Sequence, residues 1–368
     1  MKQYGILAIN PGSTSTKIAV YLDETEAMSR TIRHSAEELR PFARVTDQFG
    51  FRRDLILKVL EEEGIALDSL SAVIGRGGLV KPIASGVYEV NDALRRDLIH
   101  APQGEHASNL GGLLAVEIAS RVPDAKAYIA DPVVVDELDD VARVCGHALF
   151  RRVSIFHALN QKAVSRIYAA RVGRKYDELN LIVAHLGGGI SVGAHRGGRV
   201  IDVNNALDGD GAFSPERSGT LPAGQLVKLC FSGQYTEAQI RRMLCGSGGL
   251  VSLAGSNSVQ ELLERAKQGD WACERIIYAM AYNVAKEIGA MAAVLGGRVD
   301  AILITGGIAY SGTVCDAIRE RVSFIAPVEV IPGEDEMGAL AENALRVLRG
   351  EEMPVSYTHL TLPTILRV

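Results

Sequence analysis

The sequence predicts an α/β protein of two domains, each a mixed sheet flanked by helices. Three observations carry that expectation. The chain has 368 residues, two domains' worth at roughly 150 residues each. Apolar runs of strand length mix with helix-length segments in both halves. One unit, a strand, a Gly/Ser-rich tip and a second strand, occurs near the N-terminus and again near the middle.

The first copy of that unit has a strand at Tyr4–Asn10, a small-residue turn at Pro11–Thr16 and a strand at Lys17–Leu22. Its tip exposes backbone N–H groups and hydroxyls. The second copy has an apolar run at Asn180–Ala184, a tip at His185–Gly189 and a strand at Ile190–Ala194. A turn at Arg196–Gly198 and a strand at Arg199–Val203 follow. Two unrelated hairpins are the plainer reading. As a repeat, the pattern puts a boundary near residues 173–180, with domains at 1–172 and 173–354. Buried strands are expected at Ala72–Ile74, Ala127–Ala130 and Ala301–Thr305. Helices are expected at Asp54–Glu63, Ala107–Ser120, His157–Arg171, Ser258–Gln268, Trp271–Leu295 and Met337–Leu348. Ser258-Val-Gln-Glu261 and Thr236-Glu-Ala-Gln239 have the capping-box spacing. Residues 355–368, VSYTHLTLPTILRV, read as an atypical tail with the look of a cloning or assembly scar, and are left out of the fold argument.

Composition excludes several classes. Lys plus Arg number 39 and Asp plus Glu 44, so a net charge of −5 gives no general attraction to nucleic acid or to an anionic membrane. A hydrophobic fraction of 47% is too high for a disordered chain. The five cysteines are widely spaced with no CxxC, which argues against disulfides or a zinc cluster and fits a reducing cytoplasm. The most apolar stretch, Tyr278 to Gly297, is broken by Asn283, Lys286 and Glu287, so it reads as a core helix rather than a membrane span. There is no P-loop, no GxGxxG opening a helix, no HExxH, no GxSxG and no EF-hand loop.

What remains is phosphate chemistry. Asn10-Pro-Gly-Ser-Thr-Ser-Thr-Lys17 packs hydroxyls, a tight turn and a cation into eight residues, a composition suited to a backbone nest for phosphate. An ordinary polar hairpin is the alternative. His185-Leu-Gly-Gly-Gly189 weakens a strand end, a cost that close approach of phosphate or a tight bend would explain. Thr305-Gly306-Gly307-Ile308 follows a buried strand and leaves room for a planar ligand, or marks a turn. Arg76, among glycines, and Arg217, in Ser214-Pro-Glu-Arg-Ser-Gly219, sit where a guanidinium can grip an oxyanion in bidentate fashion, or simply face solvent. His106, His157 and His185 lie too far apart in sequence to be read as metal ligands. Asp131 and the run Glu334-Asp335-Glu336 are candidates for Mg²⁺, which needs only one or two carboxylates beside phosphates and water. Favourable helix-dipole chemistry explains the acidic run equally well.

In this order, the motifs resemble those of the acetate/butyrate kinase family, within the superfamily of acetate and sugar kinases, heat-shock proteins and actin. The resemblance runs from residue 4 to about residue 349. NPGSTSTK is similar to the family's N-x-G-S-S-S-x-K signature and HLGGGISV to its HLGxGxS signature. RSG at 217–219, SGGLVSLAGSNS at 247–258 and TGGI at 305–308 follow in family order. AVIGRGG, HAPQGEHASNLGG, IADPVVVDEL and PGEDEMGALA look closer to the butyrate branch.

The resemblance implies two ribonuclease-H-like (actin-like ATPase) domains with a cleft between them, and ATP and Mg²⁺ as cofactors. It implies Asn10 near the transferred phosphoryl group and the metal, with Ser13, Ser15 and Lys17 lining the first phosphate loop. Asp131 matches the catalytic acid, His157 the active-site histidine of the GFH motif, His185 the histidine beside the γ-phosphate and Arg217 the active-site arginine. Gly187, Gly188 and Gly189 form the second phosphate loop, and Gly306 and Gly307 approach adenosine. His106 matches a histidine after the family's A-P-L stretch and, with Phe156, would border the acyl pocket. The chain departs from acetate kinase in three places. Gly188 replaces an asparagine, GRGG replaces HRVVHGG so that Arg76 stands in for that motif's arginine, and the metal glutamate falls on Asp335 or Glu336.

The implied reaction is ATP plus butanoate giving ADP plus butanoyl phosphate, in line. A carboxylate is ionised at neutral pH and needs no general base; the demand is to hold two anions together. Branched acids such as isobutyrate, or acetate and propionate, are the nearer alternatives. A heat-shock-type ATPase without an acyl acceptor and a sugar kinase using Asp131 as base are the farther ones. The implied partners are ATP and a small carboxylate, with no nucleic acid or membrane. A cytoplasmic homodimer or higher homo-oligomer through the C-terminal half is expected.

Overall fold

The computed structural model describes residues 3–358. The chain forms two compact units. One comprises residues up to Val135 together with those from Asp335 onward; the other runs from Asp136 to Glu334.

The strands are β1 (Gly5–Pro11), β2 (Ser15–Leu22), β3 (Thr25–Arg33), β4 (Leu70–Arg76), β5 (Val87–Glu89) and β6 (Lys126–Ala130) in the first unit. The second holds β7 (Asn180–Leu186), β8 (Ile190–Arg196), β9 (Arg199–Val203), β10 (Ala301–Gly306) and β11 (Val328–Pro332). A last strand, β12 (Val355–Ser356), belongs to the first unit. The first sheet has the order β3-β2-β1-β4-β6-β5-β12 and the second β9-β8-β7-β10-β11. Both begin with an antiparallel meander of three strands and continue with two parallel strands. The duplicated hairpin is therefore one part of a duplicated sheet.

Burial explains why these segments are strands. Gly5–Ile9 of β1 and all of β10 are buried, as expected of central strands covered on both faces. β3 was absent from the sequence reading because Thr25–Arg33 is polar; only Met28 is buried, and the strand lies at the sheet edge. The helix Trp271–Val294 turns Ile277, Met280, Ala281, Val284, Ile288 and Met291 into the core of the second unit, the 3.6-residue periodicity read from sequence. Its neighbour in sequence, Val259–Lys267, buries Val259 and Leu262. In the first unit the helix Asn109–Ala119 lies so close to β4 that a Cβ on Gly75 or Gly111 would run into the other strand's or helix's backbone. That glycine contact fixes the end of β4, and with it Arg76.

Three expectations need correction. The unit boundary falls after Val135, not near residue 173, and the chain from Asp335 returns to the first unit. The reason is packing: the helix Glu336–Leu348 buries Met337, Leu340, Ala341 and Ala344 and contacts β1 and β4. The tail is also part of the fold as far as residue 358. Val355 and Ser356 pair with Tyr88 and Glu89, and the buried Tyr357 donates its hydroxyl to Asp97 at 2.6 Å. The remainder of the tail, residues 359–368, lies outside the described residues. Finally, Ser258 caps its helix by accepting from the Glu261 N–H, but the Glu261 carboxylate takes the Ser256 hydroxyl instead of closing the box; Thr236 and Gln239 do close theirs.

Candidate active site

In the first unit, Asn10 at the end of β1 pairs in register with Lys17 on β2, with the tip between them. The Asn10 amide donates to Glu336 Oε2 at 2.5 Å. Arg76, at the end of β4, donates to Glu336 Oε1 at 2.8 Å and lies 3.5 Å from Asn10 Oδ1. Asn10, Arg76 and Glu336 thus form one cluster built from two strand ends and a helix start. Asp335, the other candidate for the metal, instead caps that helix, accepting from the Gly338 N–H at 2.9 Å. Ser13 and Lys17 are exposed and Ser15 is half-buried.

His106 accepts from the Ser108 N–H and bonds its hydroxyl through Nδ1 at 2.8 Å. Partial desolvation of the ring, on a residue that is otherwise exposed, and then the nearby Arg76 charge lower its pKa from the usual histidine value. Asp131 is buried at a positive φ of 38° just after β6, whose Ala130 pairs with Arg76. Its Oδ1 accepts from the Ser85 hydroxyl at 2.6 Å and the Gly86 N–H at 2.9 Å, so it braces a neighbouring turn.

The second unit brings most of its predicted residues together. The rings of His157 and His185 stack at 3.8 Å and 11°. His157 bonds Ser191 Oγ at 2.8 Å, and His185 bonds Asn160 Oδ1 at 2.7 Å through Nδ1. On its other side, His185 Nε2 faces Glu334 Oε1 at 3.0 Å. Glu334, Asp335 and Glu336 therefore do three different things: pair with a histidine, cap a helix and join Arg76.

The Gly187–Gly189 tip is equally specific. A Cβ on Gly189 would occupy the Arg217 guanidinium, and one on Gly187 would lie 3.0 Å from both Glu334 Oε1 and His185 Nε2. Gly188 is open, with Glu216 the nearest group at 3.8 Å. Arg217 is fixed by donation to the Ala206 carbonyl at 2.5 Å, and Ser214 donates to the Gly188 carbonyl at 2.7 Å. Beside the tip opens a cavity of about 540 Å³, bordered by Gly187, Gly188, Gly307, Glu334 and the apolar Val259, Leu263 and Ile308. Ligand pockets of a few hundred Å³ with apolar walls and few polar groups are the usual form.

One expectation is redirected here. Gly306 does not border the cavity; its φ of +90° and its contact with the Leu186 backbone explain the glycine by chain packing. Phe156, expected at the acyl pocket, is buried at 2% exposure. Sequence reasoning missed Glu334 as the partner of His185, and Leu263 and Lys267 on a helix read only for its cap. Their shared face at a four-residue spacing was the available signal. Among the described residues no group of three or more His, Cys, Asp or Glu side chains could hold a metal by itself, and no helix is long and apolar enough to cross a membrane.

The acetokinase family model matches residues 144–331, and the chain belongs to that family. Butyrate kinase 1 of Clostridium acetobutylicum is 56% identical over 354 residues, spanning 96% of this chain and 99% of its own. A probable butyrate kinase of Bacteroides thetaiotaomicron is 55% identical over 350 residues, spanning 95% and 98%. Among solved structures, acetate kinase from Porphyromonas gingivalis has a TM-score of 0.77 at 19% identity over 94% of this chain and all of its own. A propionate kinase from Francisella tularensis has 0.72 at 18%, over 92% and 98%. The fold is the actin-like ATPase fold of those kinases.

Proposed function

We propose that this chain phosphorylates a short-chain fatty acid at its carboxylate, with butanoate the preferred acid and ATP the donor. The observation that carries the assignment is identity of 55–56% to butyrate kinases over nearly the whole of both chains. The geometry agrees with it. The reaction calls for cations and donors around two anions, and the clusters contain Arg76, Arg217, His157, His185 and Lys17.

In this reading adenosine occupies the 540 Å³ cavity against Gly307, Val259, Leu263 and Ile308. Its phosphates run toward Gly187, Gly188 and Gly189, where Arg217 and His185 meet the γ-phosphate and His157 supports His185 by stacking. Ser13, Ser15 and Lys17 hold phosphate oxygens at the first tip. Arg76, with His106 as a hydrogen-bonding partner, orients the acid's carboxylate, and Asp131 acts from the end of β6. A carboxylate and an amide oxygen at one place, Glu336 and Asn10, suit Mg²⁺ bound mainly by phosphates and water. When bound, the ion would offset phosphate charge. Asp335 caps the helix instead of joining Asn10.

A homodimer through the helix Trp271–Val294 fits the exposure of Trp271, Tyr278 and Tyr282 along it. The five unpaired cysteines fit a cytoplasmic setting.

The test is ATP, Mg²⁺ and hydroxylamine with acetate, propionate, butanoate, isobutyrate or glucose, since only an acyl phosphate yields hydroxamate. Butanoate is expected to give the highest kcat/KM and glucose no product. ATP hydrolysis without hydroxamate would favour a bare ATPase, and highest activity on acetate would move the chain to the acetate branch.

A further inference from the structure

The sequence reading of the first tip did not include what lies behind it. Arg52, on the helix Phe49–Glu62, is 1% exposed. Its Nη1 donates to the carbonyls of Gly12 at 2.8 Å and Ser15 at 2.9 Å and to Thr16 Oγ1 at 3.0 Å. Its Nη2 reaches the Ser13 carbonyl at 3.2 Å and Gln48 Oε1 at 2.8 Å. Each of these partners is a neutral oxygen. Among the described residues no carboxylate pairs with this guanidinium. Burial lowers its pKa to about 10, which leaves it charged at neutral pH.

A buried charge without a counter-charge is costly and calls for a compensating use. The peptide geometry supplies one. In a trans peptide the N–H of the next residue points opposite the carbonyl. With the Gly12 and Ser13 carbonyls turned in to Arg52, the Ser13 and Thr14 N–H groups are turned out. Among the described residues neither has a hydrogen-bond partner. Thr16 extends the brace by bonding the buried His34 through Nε2 at 2.9 Å.

We infer that Arg52 is a positioning residue for phosphate. It holds the carbonyls of the Pro11–Thr16 tip inward so that the Ser13 and Thr14 amides form an outward anion nest, and it places a buried positive charge behind that nest. The inference rests on the reading of this tip as a phosphate loop.

The experiment compares Arg52→Ala, Arg52→Lys and Lys17→Ala in the full chain. It measures kcat/KM for ATP, binding of ADP against adenosine, and circular dichroism. Arg52→Ala is expected to lose about 100-fold in kcat/KM, the size of removing an aligned donor set. It should weaken ADP binding while leaving adenosine binding unchanged, and millimolar guanidinium chloride should restore part of the loss where sodium chloride does not. Should Arg52→Ala fail to fold, Arg52→Lys carries the test. It keeps the charge but offers one nitrogen for a fork, so about a tenfold loss confined to phosphate-bearing ligands is expected. Wild-type rates in the folded Arg52 variants, or equal weakening of ADP and adenosine, overturn the inference. If Lys17→Ala lowers kcat/KM while the Arg52 variants do not, only the role of Arg52 fails. If neither Lys17→Ala nor the Arg52 variants change it, the phosphate-loop reading fails as well.

Discussion

The two hairpin tips carry a guanidinium in opposite ways. At Pro11–Thr14 a guanidinium sits behind the backbone and draws carbonyls inward, so side chains can stay on the tip and Ser13 and Thr14 are kept. At Gly187–Gly189 a guanidinium, Arg217, lies against the tip itself and leaves no room for a side chain at Gly189, while Gly188 is open. The glycine at 189 follows from that contact, and the one at 187 from the closeness of Glu334 and His185. A duplicated sheet therefore does not imply a duplicated site; each copy has its own source of positive charge and its own sequence consequence.

That contrast can be broken most severely at the cation. Arg217→Ala is expected to lower kcat by about 1,000-fold, the upper range for an aligned donor at a developing anion, with ATP affinity little changed. Gly189→Ala should follow, with about 100-fold lost. The added methyl meets the Arg217 guanidinium, whereas Gly188→Ala, with 3.8 Å to its nearest neighbour, should stay within about twofold. Equal losses at the two glycines would remove the steric account. In the first unit, Glu336→Gln should raise the Mg²⁺ concentration needed for half-maximal rate about tenfold and Asp335→Asn should not, because the latter caps a helix. A Mg²⁺ titration of both variants reads this directly.

The smallest effect concerns stability in acid. His195 is fully buried among Gln161, Tyr176 and Ser165, and burial, then the Lys162 charge, push its pKa well below 6.5. The unfolded chain takes up a proton on this residue near pH 6.5 and the folded chain does not. Stability is therefore complete above that pH and is lost as pH falls toward the folded value. His34 and His106, also lowered mainly by burial, act in the same direction. Melting temperature should fall by several degrees between pH 7 and pH 5, and His195→Gln should flatten that slope. A slope unchanged in the variant would place the acid sensitivity elsewhere.

Much of this was legible from residue order. Central strands such as Ala301–Gly306 are continuous apolar runs, and the helix Trp271–Val294 has an unambiguous period, so both stand out. The edge strand Thr25–Arg33 and the helix Gly312–Val322 did not, because mixed polar segments lack a distinctive pattern. The unit boundary was misplaced because the return of Glu336–Leu348 to β1 is a long-range packing event with no local mark. The candidate residues on the Gly-rich tip stood out for a related reason: Gly187–Gly189 breaks a strand, and that cost shows in one dimension. Arg52 and the pairing of Glu334 with His185 were invisible because they depend on partners 36 to 149 positions away, near enough only after folding.

The central claim is that the Arg217-bearing tip acts on the transferred phosphoryl group rather than on nucleotide binding. The most direct measurement is butanoyl hydroxamate formation by wild type and Arg217→Ala, with the ATP dissociation constant determined on the same samples. The account expects turnover reduced by about three orders of magnitude and an ATP dissociation constant within about threefold of wild type. Unchanged turnover, or a loss wholly explained by weaker ATP binding, would contradict it.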